Sequence, residues 1–260
     1  MISPYPVKFD PIPKERIWGG HSLKEWFGYE GTEPIGEYWM LSAHPNGMSI
    51  VSNGEFKGRA LQELTDQYPQ YYLGNSPQNR FPLLIKFLDI TQDLSVQVHP
   101  DDEYAQKNEG DFGKTECWYI LDTKKDGSII YGHHFKSKKE FHRVVKEKRV
   151  REYLNYIPIQ PHQTILVPSR TLHALLAGTT LIEIQQTSDI TYRVYDWDRL
   201  DDGGRARELH VEKAAEVLNY ELTNMPSGLQ TKPMDNIQHT SHKRLIQCPY
   251  FQIEKVSFAT

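Results

Sequence analysis

The 260-residue chain has little cysteine: Cys117 and Cys248 stand alone, with no Cys neighbour at metal-clip spacing. Two thiols cannot build a disulfide framework, and both are expected to be reduced and packed. No stretch approaches the roughly 18 apolar residues needed to span a bilayer. Residues 1–14 lack the basic start and apolar core of a signal peptide, so the expected address is cytoplasmic. Charge of one sign is also lacking, because 30 Lys and Arg face 34 Asp and Glu, a formal charge of -4. Without a positive field, nucleic-acid or membrane binding driven by bulk charge is not expected. Neither a P-loop, a Gly-x-Gly-x-x-Gly element nor a fixed-period repeat is found, which removes the usual nucleotide signatures and solenoid architectures.

What is abundant is aromatic and turn-forming: 15 Tyr, 10 Phe and 5 Trp, with 16 Pro and 17 Gly. That balance favours strands and turns over a helical bundle. Short β-branched or aromatic runs predict strands over residues 38–44, 83–89, 94–99, 116–121, 128–131, 164–167, 181–186 and 191–195. Helical patterns are fewer, at 22–27, 60–67, 101–108, 137–147 and 208–219. The expected fold is mainly β, a sandwich or barrel with a few peripheral helices. Residues 1–222 are expected to form the main domain. Residues 223–242, rich in Pro, Gly, Asn, Gln, Thr and Ser, read as a linker, and 243–260 as the start of a second β unit that is cut short.

Three polar segments stand out within apolar surroundings. In Leu94-Ser95-Val96-Gln97-Val98-His99-Pro100 the period of two puts Ser95, Gln97 and His99 on one face and packs Val96 and Val98 behind them. On an outer strand such a row would simply be solvated. Glu116 opens another apolar strand with Lys114 on its face and Cys117 on the other. His173 interrupts an apolar strand after a tight turn, where a lone His is more often a hydrogen-bonded core residue than a ligand. Together, two imidazoles, a carboxylate and an adjacent Gln make a set suited to zinc or another divalent transition metal with an open position. In the third segment Asp189, Thr191 and Arg193 share a face. Its bland alternative pairs Arg193 with Asp189 or another carboxylate as structural glue.

The stretches Leu-Ser-Val-Gln-Val-His-Pro-Asp-Asp-Glu (94–103), Gly-Lys-Thr-Glu-Cys-Trp-Tyr-Ile-Leu (113–121) and Ser-Asp-Ile-Thr-Tyr-Arg-Val-Tyr-Asp-Trp-Asp-Arg (188–199) resemble type I mannose-6-phosphate isomerases. Ile17-Trp18-Gly19-Gly20, Ile35-Gly36-Glu37-Tyr38-Trp39 and Phe81-Pro82-Leu83-Leu84-Ile85-Lys86 are similar to the same family. The short span between Glu116 and His173 resembles its short bacterial form. The resemblance implies a cupin barrel with Zn2+ held by His99, Glu116 and His173, and Gln97 as an additional or alternative ligand. It further implies that Arg193 is the catalytic arginine, that Lys114 and Asp189 line the pocket, and that Ser95 and Lys86 meet the sugar phosphate. The implied reaction moves a proton between C1 and C2 through a cis-enediol, with Lys114, Asp189 or a water on the metal as base. Lys86 sits in an apolar strand, where a buried ammonium needs an anionic partner. The rivals are a non-haem iron oxygenase on the same barrel, which shares two His and a carboxylate, and a non-catalytic sugar-phosphate-binding cupin. Two departures are noted. Arg170 replaces the family's usual Gly three residues before His173, so a distorted turn or an alternative conformation is expected there, and the family's C-terminal β domain is only begun.

Overall fold

The computed structural model describes residues 3–200, 203–221, 236–237 and 240–258. In chain order the first half runs β1 (Ile12–Gly20), α1 (Lys24–Phe27), β2 (Ile35–Leu41), α2 (Leu61–Gln67), α3 (Pro69–Tyr72), β3 (Leu83–Ile90), β4 (Val96–Val98) and α4 (Asp102–Asn108). It continues with β5 (Glu116–Thr123), β6 (Ser128–His133), α5 (Lys138–Lys146), a 3-10 turn (Val150–Tyr153), β7 (Leu154–Pro158), β8 (Thr164–Val167) and β9 (His173–Leu175). Last come β10 (Thr179–Gln186), β11 (Tyr192–Tyr195), α6 (Val211–Val217), β12 (Asn236–Ile237), β13 (Thr240–Gln247) and β14 (Gln252–Phe258).

The eight expected strands and five expected helices all form, with ends shifted by a few residues. Two helices open on side-chain N-caps. Asp101 accepts the Tyr104 amide at the start of α4, and Ser137 accepts the Glu140 amide at the start of α5. Strands β1 and β7 and the short α3 were not anticipated. In β1 (Ile-Pro-Lys-Glu-Arg-Ile-Trp-Gly-Gly), Pro13 and three charges hide the strand signal. It is tolerated at the edge of its sheet, where a missing N–H costs no ladder bond. Most of the expected 223–242 linker lies outside the described residues; within it, 236–237 and the start of β13 pair as strands.

Pairing is antiparallel throughout. A first sheet has the order β1-β2-β3-β10-β5-β8, a second β11-β4-β9-β6-β7, and a small third sheet β12-β13-β14. Trp18, Leu88, Trp118, Ile129, Tyr131, Ile165, Leu175 and Leu181, drawn from the first two sheets, form one buried cluster between them. This is the sandwich-like barrel the cupin resemblance implies. Along the inward face of β10 the side chains change from Leu181 to Glu183 and Gln185, and along β5 from Ile120 and Trp118 to Glu116. An apolar plug therefore fills one end of the barrel and leaves the other end polar. The outer face of the second sheet, including Val96, Val98, Leu172, Ala174 and Val194, is covered by Phe141 and Val144 of α5 and by Ala214, Ala215 and Val217 of α6. Cys117 points away from the barrel interior, as expected, and packs with Ile246 and Phe251. In this way the β13–β14 hairpin is seated on the outside of the first sheet.

Candidate functional site

At the polar end three strands converge. Gln97 in β4 is in register with His173 on one side and Arg193 on the other, while His99 follows β4 directly and Glu116 opens β5. His99 Nε2 lies 3.4 Å from Glu116 Oε2, and His173 Nε2 lies 3.4 Å from Glu116 Oε1. All three side chains are 1% exposed. The ligand atoms of the trio fall within 4.8 Å of one another.

The second nitrogen of each ring fixes its tautomer. His99 Nδ1 is 2.8 Å from the Ile190 carbonyl and His173 Nδ1 is 2.9 Å from the Thr171 carbonyl. A carbonyl only accepts, so both Nδ1 atoms carry protons and both Nε2 lone pairs face Glu116. His173 Nε2 and Glu116 Oε2 are buried without a hydrogen bond. Buried lone pairs facing one another need a cation between them. Burial, reinforced by the Lys114 charge, pushes His99 down to about 3, and burial lowers His173 as well. Burial alone would raise Glu116, but the Lys114 ammonium beside it helps hold it well below the usual carboxylate range. Two neutral imidazoles and an ionised carboxylate are the protonation states a divalent transition metal requires, so the residues present fit such an ion.

A cavity of about 460 Å³ opens beside the trio, lined by Lys14, Arg16, Lys86, Lys114, Arg193 and Arg207 as well as by Ser95, Gln97, Thr191, Glu37, Glu183 and Asp189. Six cations against three carboxylates give this pocket a positive excess inside a weakly acidic protein. Lys114 joins the cavity to the trio, with Nζ 3.3 Å from Glu116 Oε2 and 3.2 Å from His99 Nε2. Arg193 donates from Nη1 to the Glu208 carbonyl at 2.8 Å, while its buried Nε has no partner. Burial and the nearby Arg207 lower its pKa.

The anionic partners Lys86 needs are supplied by the protein. Its Nζ is 2.8 Å from Glu183 Oε1 and 3.8 Å from Glu37 Oε2. Burial works against the ammonium, yet the two carboxylates raise the Lys86 pKa overall. Glu183 also accepts from Trp118 Nε1 at 3.3 Å, and Glu37 from Trp39 Nε1 at 2.5 Å and Arg16 Nε at 3.0 Å.

The structure brings Lys86, Ser95, Gln97, Lys114, Asp189 and Arg193 to one cavity and His99, Glu116 and His173 to its edge. Gln97 makes no side-chain hydrogen bond among the described residues and is available to the metal or to a ligand in the cavity. The structural Arg193–Asp189 pair is not formed. Asp189 instead contacts His44 and Asn46. Sequence reasoning missed Glu183, Glu37, Lys14, Arg16 and Arg207. The period-two rule applied to Leu-Ile-Glu-Ile-Gln-Gln would have flagged Glu183 and Gln185, a polar pair on the face of Leu181. Arg170 does adopt the left-handed conformation at φ 70.

Residues 7–143 match the family described as phosphomannose isomerase type I, catalytic domain. The chain is 45% identical to Mannose-6-phosphate isomerase ManA of Bacillus subtilis (strain 168), over 96% of this chain and 78% of that protein. It is 44% identical to the mannose-6-phosphate isomerase of Streptococcus mutans serotype c, over 93% of this chain and 75% of the relative. The crystal structure of the mannose 6-phosphate isomerase from Bacillus subtilis superposes with a TM-score of 0.89 at 42% identity, covering 98% of this chain and 80% of the other. A zinc-bound mannose 6-phosphate isomerase superposes at 0.70 with 16% identity, over 95% and 82%, a likeness of fold.

Proposed function

The chain belongs to the type I phosphomannose isomerases, and from that membership we infer that it is a zinc-dependent aldose-ketose isomerase interconverting mannose 6-phosphate and fructose 6-phosphate. The observation that carries this reading is the buried His99–Glu116–His173 trio, in which His173 Nε2 and Glu116 Oε2 have no hydrogen bond, beside a cation-rich cavity. His99, Glu116 and His173 would hold the zinc, with Gln97 as a further ligand. The bound ion supplies Lewis-acid stabilisation of negative charge on the sugar oxygens.

The protein's own side chains divide the remaining work. Ser95 and Lys86 meet the phosphate, whose binding energy positions C1 and C2. Lys86 acts as one member of a charge-balanced group with Glu183 and Glu37, so its ammonium is held in place before substrate arrives. Arg193 contributes a fixed guanidinium, one of whose donors is unpaired, to the oxyanion of a cis-enediol. The proton removed from C2 and returned to C1 is carried at Lys114 Nζ or a carboxylate oxygen of Asp189.

An iron oxygenase would share the trio but gives no reason for so many cations, Lys14, Lys86 and Arg193 among them, to line one cavity. The same cations fit a phosphosugar dianion. The intact trio and the unpaired Arg193 Nε argue against a purely binding role. Free thiols at Cys117 and Cys248 support the reducing cytoplasm as its compartment. Among the described residues no helix is long and apolar enough to cross a membrane. The test is metal analysis of the purified protein combined with turnover of mannose 6-phosphate. Stoichiometric zinc and chelator-sensitive formation of fructose 6-phosphate are expected; a metal-loaded protein without turnover overturns the assignment.

A further inference from the structure

A second cluster of His44, Asp111 and Asp189 sits at the rim of the cavity. Its ligand types resemble the trio, but its tautomer is reversed. His44 Nδ1 accepts the backbone N–H of Asn46 at 3.2 Å. The ring proton is therefore on Nε2, which faces Asp189 Oδ1 at 3.4 Å and Asp111 Oδ2 at 3.6 Å. A nitrogen that bears a proton offers no lone pair to a metal. The cluster presents a donor to two carboxylates, and one of these, Asp189, lines the substrate cavity. Asp111 is also held by Arg80, whose Nη2 is 3.0 Å from Oδ1.

Asn46 completes the grip on Asp189 by donating from Nδ2 to Oδ2 at 2.5 Å. The loop carrying both residues is itself braced. The Ser42 amide donates to Ser49 Oγ at 2.9 Å, the His44 amide to Ser42 Oγ at 3.1 Å, the Gly47 amide to the His44 carbonyl at 3.0 Å, and Lys14 Nζ to the Asn46 carbonyl at 2.7 Å. On the other side, Gln185 Nε2 donates to the Ser188 carbonyl at 2.5 Å, and the Ile190 carbonyl accepts from His99. The Asp189 backbone is thus fixed by the barrel and its two oxygens by a separate loop.

We propose that His44 and Asn46 are positioning residues for the isomerase: the Asn46 amide hydrogen bond and the His44 Nε2 contact at 3.4 Å together fix the Asp189 carboxylate in the cavity. This role rests on the isomerase reading. It assigns the 42–47 loop, whose Asn46 also lines the cavity, a function in turnover through Asp189, and it makes Asp189 a preorganised group.

The test compares the zinc-loaded wild type with His44→Phe, His44→Gln and Asn46→Ala, each alone and with Asp189→Asn. His44→Phe keeps ring bulk and removes both nitrogens, whereas His44→Gln keeps an N–H donor near the Nε2 position. Expected results are a fall in kcat of about ten-fold or more for His44→Phe and Asn46→Ala, with KM for mannose 6-phosphate within about three-fold and zinc content unchanged, since misplacing a reacting group by an ångström costs up to about a hundred-fold. His44→Gln should recover most of the loss. In the Asp189→Asn background His44→Phe should cost less than about two-fold, because the group it positions is already altered. Wild-type kcat in both single variants, an equal loss in both backgrounds, or no recovery by His44→Gln overturns the positioning role. Asn46→Ala, at an exposed loop position, carries the test should His44→Phe fail to fold. Absence of wild-type turnover sinks the isomerase assignment and the positioning role with it, whereas a wild-type rate in the variants sinks the positioning role alone.

Discussion

Replacing Lys86 by Met should destabilise the barrel far more than the loss of one amine suggests. The ammonium lies 2.8 Å from Glu183 and 3.8 Å from Glu37, with all three residues less than 10% exposed. At an effective dielectric constant of about 20, a pair at the shorter distance attracts by about 6 kcal/mol before desolvation is subtracted. Its removal leaves two carboxylates buried beside each other, and breaking a buried ion pair costs about 3 to 5 kcal/mol. For a chain of this size that is a drop in Tm of roughly 6 to 20 °C. Urea unfolding of the zinc-loaded protein, followed by the fluorescence of Trp39 and Trp118 beside the network, measures it. The double variant Lys86→Met/Glu183→Gln should cost at least about 2 kcal/mol less than the sum of the singles, because each change removes the other's uncompensated charge. A loss below about 1 kcal/mol in Lys86→Met, or additivity within about 0.5 kcal/mol, refutes the reasoning. The kinetic counterpart is Lys86→Ala, for which a raised KM for phosphosugar is expected and an unchanged KM removes Lys86 from the phosphate site.

Arg193→Ala should lower kcat by about 100-fold with a smaller change in KM, since its charge acts on the enediolate rather than on the resting sugar; steady-state kinetics at unchanged zinc content decide, and an unchanged kcat rejects the role. Turnover in heavy water should leave measurable deuterium at C1 of fructose 6-phosphate, detectable by NMR, because a side-chain base holding the proton can exchange it with solvent. Complete retention of the original C2 hydrogen, with Lys114 and Asp189 variants still active, would instead favour a hydride shift. Away from the site, burial lowers His133 from 6.5 to about 4. The folded state therefore disfavours its proton, so the stability it contributes is full above pH 6.5 and is lost as pH falls toward 4, by about 3 kcal/mol. His133→Asn, which keeps an acceptor for the Phe135 amide, should flatten the decline of Tm between those values, and an unaltered slope excludes His133 as its source.

Much of the site was legible because it rests on local rules. Period-two alternation placed Ser95 and Gln97 toward the cavity with Val96 and Val98 behind, put Asp189, Thr191 and Arg193 on one face, and turned Cys117 away from Glu116. What escaped depends on register between distant strands. Lys86 was recognised as a buried ammonium wanting an anion, but only the β3–β10 pairing, which puts Lys86 opposite Glu183, and the β2–β3 pairing, which brings Glu37 near, identify the partners. Lys14 and Arg16 were missed with β1 itself, whose Pro13 and charges read as loop. The histidines show a sharper limit. His99, His173 and His44 are the same residue type beside carboxylates, and only the backbone group at Nδ1 separates them. A carbonyl there leaves a lone pair for a metal; an amide there leaves a proton for Asp189.

The Arg170 turn is where local propensity and site geometry conflict, and its contacts show how the conflict is settled. A left-handed non-glycine residue costs about 1 to 2 kcal/mol. Arg170 offsets this with contacts glycine cannot make, since its Nε donates to the Val217 carbonyl at 3.0 Å and its Nη1 lies 3.6 Å from Asp101 Oδ2. One such hydrogen bond contributes about 0.5 to 1.5 kcal/mol, so strain and anchoring nearly cancel. The backbone of the same residue donates to the His99 carbonyl at 2.7 Å and accepts from the Asn219 amide at 3.1 Å. The adjacent Thr171 carbonyl orients His173. One turn therefore holds the chain at the first histidine, aims the second and ties both to the end of α6. Side-chain anchoring thus does here what the backbone freedom of a glycine would do, while the two Nε2 lone pairs keep their common direction.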